Sequence, residues 1–331
     1  MAACVAAGAL VLPAACGDDH DAAGPTVAPT AGPSVDPNAV VIGHAGSLNG
    51  LVQDKLTAAM AAAGIAIHSE PGASLAAAQK IKDGTPTELY ATADANTNKV
   101  LMGAANGDKV RWFATFASNS VVVAYSLISP KLADFEKAEA GKTTWYAPLE
   151  EKGVRVTRSD PDTDPGGYFT VMVAQLAGLD AKDPGLKNRL LGDDRNPAQV
   201  RPGAAGQPKS GAIDASFMYR TQALAAGLPF VELPKQINLS DPSQNKSYAR
   251  ATFTTKSGIT YTGAMIAYSI APVEGAAHSA QALRIIEFLL SDEGQKLTRS
   301  LGFLAIPVLI GGDRSAVPPS VAKYAAGDWP G

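Results

Sequence analysis

Residues 159–168 read SDPDTDPGGY, which places Asp160, Asp162 and Asp164 at every second position ahead of Gly166, Gly167 and Tyr168. Carboxylates at that spacing suit a calcium loop, which also needs Gly at its sixth position and a bidentate Glu at its twelfth. Counted from Asp160, those positions hold Pro165 and Val171, so an EF-hand is excluded. Asp160 and Asp162 read instead as turn formers, because Asp side chains bond their own backbone two residues on.

Two serines stand where helices are expected to begin, each preceded by small residues: Ala45-Gly46-Ser47 and Gly72-Ala73-Ser74. A helix N-terminus offers unpaired N–H groups and a partial positive charge, and a hydroxyl adds another donor, so two such turns side by side make an uncharged anion trap. Serine at such a position equally serves as a plain N-cap. Neither turn carries the GxxxxGK[ST] of a P-loop, and Ala45 stands where the GxSxG of a hydrolase elbow needs its first Gly. Ser47 with His44 is the one pair that would suit a serine-type hydrolase; it lacks a third member, and a single histidine reads as structural. Asn119 either caps a turn or lines the cleft, and Arg158 and Arg201 either bring charge near it or lie on the surface.

The elements that must position these residues are legible from periodicity. Ala39 to Gly43 is a short apolar strand, and from Ser47 the apolar Leu48, Val52, Leu56 and Met60 recur every four residues until Gly64, as in a helix with its C-cap. Ile65-Ala66-Ile67 is strand-like, and a second helix begins near Ser74 and ends at Gly84. Further strands are expected at 88–92, 120–126, 215–219 and 262–272. Apolar helix spacing runs through Phe169, Val173 and Leu176, and one long amphipathic helix is expected over 279–303. Strands alternating with helices imply an α/β fold with a mostly parallel sheet.

The chain has 331 residues, 46% hydrophobic and 18% charged, with a net charge of −3, which suits a globular protein of two domains. With no basic run and no basic-aromatic patch, nucleic acid is not an expected partner. Residues 1–19, MAACVAAGALVLPAACGDD, form a short apolar run ending in Ala14-Ala15-Cys16, followed by a stretch rich in Pro, Ala and Gly. This pattern resembles a lipoprotein signal and tether, with Cys16 lipidated; a free cysteine in an unstructured leader is the alternative. Both cysteines, Cys4 and Cys16, lie in this leader, so disulfides and thiol chemistry are excluded from the folded part.

Taken in order, HAGSL (44–48), EPGAS (70–74), ATAD (91–94), FASNSVVVAYS (116–126), TWY (144–146), RSDPDTDPGGY (158–168), FMYR (217–220), VELPKQINLSDP (231–242) and SDEGQ (291–295) are similar to the molybdate/tungstate-binding proteins of ABC importers. The resemblance runs from about residue 40 to 310. It implies an α/β, type II periplasmic-binding-protein fold: two lobes around a ligand cleft, joined by crossover strands near 122–126 and 262–266. The domains would then be a leader and tether (1–38), lobe I (39–122 and 265–331) and lobe II (123–264).

Carried onto this sequence, the resemblance implies hydroxyl donors from Ser47 and Ser74 on one lobe and Tyr219 on the other. Backbone donors would come from Gly166 and from Val200 or Arg201, with Asn119 near the cleft. Asp164 matches an aspartate that ligates the metal atom of the oxyanion in one branch of the family. The glutamate that accompanies it there is missing, since Gly203 and Ala204 occupy its place and no Glu occurs between Glu151 and Glu232. A tetrahedral anion held by hydrogen bonds is therefore expected, and Asp164 is left with three roles: structural, protonated, or a direct ligand to Mo or W. The implied function is capture of molybdate or tungstate without turnover, and its delivery to an ABC permease. No cofactor is implied, and the protein is expected to be a monomer, anchored by lipid on the outer face of the cytoplasmic membrane or periplasmic. Sulfate is the alternative ligand, and a structural lipoprotein or a hydrolase is the alternative class.

Overall fold

A run of apolar residues without polar alternation belongs in a strand covered on both faces, and VVIGHA is one: in β1 (Val40–Ala45) only Val41 escapes burial. The computed structural model describes residues 36–200 and 208–330. In it β1 pairs in parallel with β2 (Ile67–Gly72) on one side and β3 (Leu89–Thr92) on the other. Helices α1 (Thr57–Ala62) and α2 (Ser74–Lys82) make the crossovers. After β4 (Trp112–Ser118) the chain passes through Asn119 and Ser120 into a second sheet. That sheet has the order β6-β7-β5-β8, built from β5 (Val121–Tyr125), β6 (Val156–Thr157), β7 (Ala215–Tyr219) and β8 (Phe230–Glu232).

Around it lie α3 (Leu132–Glu139), α4 (Pro165–Asp180), α5 (Leu186–Leu191), α6 (Arg220–Ala226) and α7 (Asn245–Tyr248), with a hairpin of β9 (Thr252–Thr254) and β10 (Thr260–Thr262). The chain then returns as β11 (Ala267–Pro272), which inserts between β3 and β4 and runs antiparallel to both. Helices α8 (Ser279–Leu290), α9 (Asp292–Ser300) and α10 (Pro319–Ala322) and strands β12 (Leu309–Gly312) and β13 (Gly327–Asp328) complete the first lobe, whose seven strands run β13-β12-β4-β11-β3-β1-β2. The result is two α/β lobes with the chain crossing between them twice.

Several expectations are revised. The sheets are mixed rather than mostly parallel, because the returning β11 runs against both neighbours and β12 runs against β4. The first crossing falls at Asn119–Ser120, so Val121 and Val122 belong to the second sheet. Of the strand expected over 262–272, residues 263–266 are irregular, and β2 begins at Ile67 and carries on through Gly72. The helix expected from Ser47 is 3-10 at Gly46–Leu48, π at Gly50–Leu56 and α only from Thr57. An apolar repeat of four outruns the 3.6 residues of an α-turn by about 40° per step, and the wider π turn keeps Leu48, Leu51, Val52 and Leu56 on one buried face.

The long helix expected over 279–303 is two helices. Ser291 leaves the helical conformation (ψ 165°), its Oγ accepts from the Gly294 N–H, and Asp292 and Glu293 fill the new first turn. Gly294 lies so close to the end of α8 that a Cβ there would stand 2.0 Å from the Phe288 carbonyl oxygen and 2.8 Å from Leu289 Cα. Gly294→Ala is therefore expected to destabilise the protein by about 1–3 kcal/mol, with the glycine's greater unfolded-state entropy offsetting little of it. Urea unfolding with an unchanged m-value checks this; a midpoint equal to the parent's would show that the helix junction yields.

Candidate functional site

The two serines are first-turn residues and not caps. The residue before the Gly46–Leu48 turn is Ala45 and the N-cap of α2 is Ala73, and neither helix start has a side-chain cap bond. Each serine oxygen instead accepts from a neighbour. Tyr268 Oη donates to Ser47 Oγ at 3.0 Å, and the Ala93 N–H donates to Ser74 Oγ at 3.4 Å. Ser74 is fully buried, and its carbonyl accepts from Tyr90 Oη at 2.9 Å.

Opposite them stands the second lobe. Tyr219 ends β7, is 3% exposed, and its hydroxyl has no hydrogen-bond partner among the described residues. A buried, unmatched hydroxyl costs stability, so such a group marks a place where a partner is expected from elsewhere. Its ring meets Tyr268 of the first lobe edge-on, with centroids 5.8 Å apart. It also packs on Gly166, where a Cβ would lie 3.3 Å from Tyr219 Cε2. Burial pushes the Tyr219 phenol well above its ordinary range, aided by the carboxylates of Asp164 and Asp94 and by Tyr268, so it remains a donor at every physiological pH.

SDPDTDPGGY is only half a loop. Asp160 Oδ1 takes the Asp162 N–H at 2.9 Å, the turn expected of it. Asp162 does more: it holds Arg195 through two bonds, 2.7 and 2.8 Å long, which lower its pKa. Asp164 is the N-cap of α4 and Pro165 the first helical residue, with Asp164 Oδ1 accepting from the Gly166 N–H at 3.0 Å. Gly166 and Gly167 thus lie inside the helix. Gly167 is there for space, since a Cβ would fall 2.4 Å from the Asp160 carbonyl carbon.

Not every expected donor is free. The Gly166 N–H is given to Asp164, and the Val200 N–H is given to the Asn196 carbonyl at 3.0 Å. Both ends of the Asn119 amide are engaged inside the protein: Oδ1 takes the Ser120 N–H, and Nδ2 donates to Thr221 and Tyr268. Arg158 is fully buried, donating to the carbonyls of Asp193 and Asp194. His44 has no bond to Ser47; its ring nitrogens contact the Ala45 carbonyl and Ser69 Oγ, and burial lowers its pKa. Arg201, Gly203, Ala204 and Cys16 lie outside the described residues.

Sequence reasoning passed over three residues. Tyr268 supports Ser47. Tyr168 and Asp94 tie the lobes together, with Tyr168 Oη donating to Asp94 Oδ2 at 2.7 Å, beside a second inter-lobe bond from the Leu75 N–H to the Thr163 carbonyl at 3.1 Å. Tyr168 is itself stacked on Tyr261, with centroids 4.5 Å apart. Each lies in a stretch quoted above, ATAD, DPGGY or the returning strand, but their partners are 74 or more residues away along the chain.

Comparison with known proteins gives this arrangement a context. A family model described as bacterial extracellular solute-binding protein matches residues 40–304. An uncharacterized solute-binding protein of Methanoculleus marisnigri is 30% identical over 309 residues, 84% of each chain. The molybdate/tungstate-binding protein WtpA of Pyrococcus abyssi is 30% identical over 274 residues, 75% of this chain and 77% of that one. Among solved structures, the periplasmic molybdate-binding protein of Azotobacter vinelandii superposes with a TM-score of 0.55 at 17% identity, covering 81% of this chain and 99% of that one.

Burial raises the pKa of Asp164, a hydrogen bond from Gly166 opposing it. A folded-state pKa above the unfolded one, about 3.9, means that the native state binds more protons in that window, so the ionised carboxylate costs stability at neutral pH and the cost fades as pH falls. Asn caps helices as well as Asp does. The unfolding temperature of ligand-free Asp164→Asn, less that of the parent, is accordingly expected to be largest near pH 7 and to shrink steadily toward pH 4. A difference that is flat with pH would show Asp164 to be an unperturbed carboxylate.

Proposed function

Since the chain belongs to the bacterial extracellular solute-binding protein family, and so works outside the cytoplasm, we propose that it captures a tetrahedral oxyanion, molybdate or tungstate, and delivers it to an ABC permease. The observation that carries this reading is the Tyr219 hydroxyl, buried without a partner among the described residues. Ser47 and Ser74 stand on the other lobe, with oxygens that already accept from Tyr268 and Ala93 and hydrogens that no described residue takes. The name of the Pyrococcus abyssi relative points to the same ligands.

The chemistry of such a site selects its guest. Molybdate, tungstate and sulfate are fully deprotonated dianions at neutral pH and need only donors, whereas phosphate carries a proton and needs an acceptor as well. Hydroxyl hydrogen bonds to a charged oxygen are among the strong ones, and they offset the cost of taking the dianion out of water. Asp164 serves this site as the cap of α4. Ligation of Mo or W by Asp164 would set a carboxylate against a dianion with no second carboxylate to share the metal, so we assign the ligand a tetrahedral, hydrogen-bonded state. Sulfate satisfies the same donors and is separated by size alone, which makes it the second reading. Cys16 would tether the protein to the membrane by lipid, and a monomer suffices for capture.

Thermal unfolding of the full chain with molybdate, tungstate, sulfate and phosphate titrated separately tests the proposal. Saturation at 100 times Kd adds about 2.7 kcal/mol of stability, a rise of several degrees. A rise is expected with molybdate and tungstate and not with phosphate; no response to any of the first three anions would sink the reading. In calorimetric titration Tyr219→Phe is expected to weaken molybdate binding by roughly tenfold or more, the worth of a hydrogen bond to a charged group. The ligand-free stability of that variant should hold or rise, because the lost hydroxyl leaves no partner behind among the described residues.

A further inference from the structure

Every donor and acceptor around Ser47 can be assigned a direction. Asn119 sits where the chain crosses between the lobes, and its Oδ1 takes two backbone N–H groups, from Ser120 at 3.0 Å and Thr221 at 3.4 Å. A backbone N–H can only donate, so the oxygen end of this amide is fixed and its Nδ2 must point the other way. That nitrogen is donor only, and it gives one hydrogen to Thr221 Oγ1 at 2.8 Å and the other to Tyr268 Oη at 3.2 Å. Tyr268 Oη therefore accepts from Asn119, and its single hydrogen goes on to Ser47 Oγ at 3.0 Å. Tyr268 is fully buried and Asn119 is 1% exposed, so water is not there to reverse the order.

We infer that Asn119 and Tyr268 form a directional relay, rooted in two backbone amides at the crossing between the lobes, which occupies one of the two lone pairs of Ser47 Oγ and biases that hydroxyl toward donating to a ligand. Tyr268 is a positioning residue that need not touch the ligand itself. With one of its two lone pairs held by the Tyr268 hydrogen, Ser47 directs its own hydrogen away from Tyr268 and has a single lone pair left to accept with. The relay thereby extends the oxyanion reading from which it starts: it disfavours protonated anions, since a P–OH or As–OH group needs an acceptor and the relay halves what Ser47 can offer.

The removal of one hydroxyl tests this. In Tyr268→Phe the ring and its packing stay, but Ser47 Oγ is released from its donor and regains its second lone pair for accepting. The ratio of molybdate to phosphate affinity at pH 7, measured by calorimetric titration of the full chain, is expected to fall about tenfold, as befits one hydrogen bond to a charged ligand. Ser47→Ala also lowers molybdate affinity, and in that background Tyr268→Phe is expected to change the ratio no further, because the relay has lost its end. A merely structural Tyr268 would lower both affinities together, whether or not Ser47 is present. Asn119→Ala removes the root while sparing the tyrosine, and its effect on the ratio should share the same dependence on Ser47.

A parent that binds molybdate, tungstate or sulfate while the ratio in Tyr268→Phe stays within twofold of the parent's, or an effect that persists undiminished in Ser47→Ala, overturns the relay and leaves the oxyanion reading standing. A parent that binds none of these anions overturns both.

Discussion

The first turn of α4 has to satisfy three requirements at once, and the rest of the molecule is arranged around it. Asp164 must cap the helix, Gly167 must let that helix lie against the Asp160 backbone, and Tyr168 must reach across to Asp94 on the other lobe. A side chain at 167 would push the helix off its loop, and the displacement would part Tyr168 from Asp94 and move Gly166 away from the face of Tyr219. A second carboxylate in the same turn is tolerated because Arg195 neutralises Asp162 while the backbone satisfies Asp164. The run of aspartates is thus a division of labour among a turn, an ion pair and a cap, none of which is a metal loop.

How much of this the residues announce depends on how local the cause is. The alternation of strands and helices, the start of α2 at Ser74 and the strand β7 ending at Tyr219 all follow from nearest-neighbour patterns. Asp164-Pro165 is likewise a local signal, a cap followed by proline at the first helical position, yet three aspartates and two glycines read more readily as a loop. Ser291-Asp292-Glu293 also spells a helix start, and the apolar spacing on either side conceals it. The repeat of four after Ser47 reads as an ordinary helix, although an α-helix wants 3.6, and the π segment comes from keeping those apolar residues on one buried face.

The remainder of the site was not legible for a different reason. Its partners are joined only by the fold: Tyr168 with Asp94 across 74 positions, Asn119 with Tyr268 across 149, and Tyr268 with Ser47 across 221. Motif likeness pointed to Ser47, Ser74 and Tyr219 without revealing what holds them. It also suggested backbone donors at Gly166 and Val200, whose hydrogens the helix cap and a local turn have already taken. Local hydrogen bonding of that sort competes with any ligand for the same N–H, and only the position of the acceptor decides the outcome.

The strength of the seam between the lobes bears on how such a protein could both hold and release a guest. Across it run the Tyr168–Asp94 bond, the Leu75–Thr163 backbone bond and the edge-on contact of Tyr219 with Tyr268. Hydrogen bonds of this kind net about 0.5–1.5 kcal/mol each, and they stand beside an apolar core that runs on through residues of both lobes. Against that stands the cost of enclosing Tyr219 Oη with no partner among the described residues, together with the raised pKa values of Asp94 and Asp164 in the same region. An anion that satisfied the buried hydroxyl would interact more favourably with a closed form than with an open one. That difference in affinity is all that a ligand-driven change of state requires.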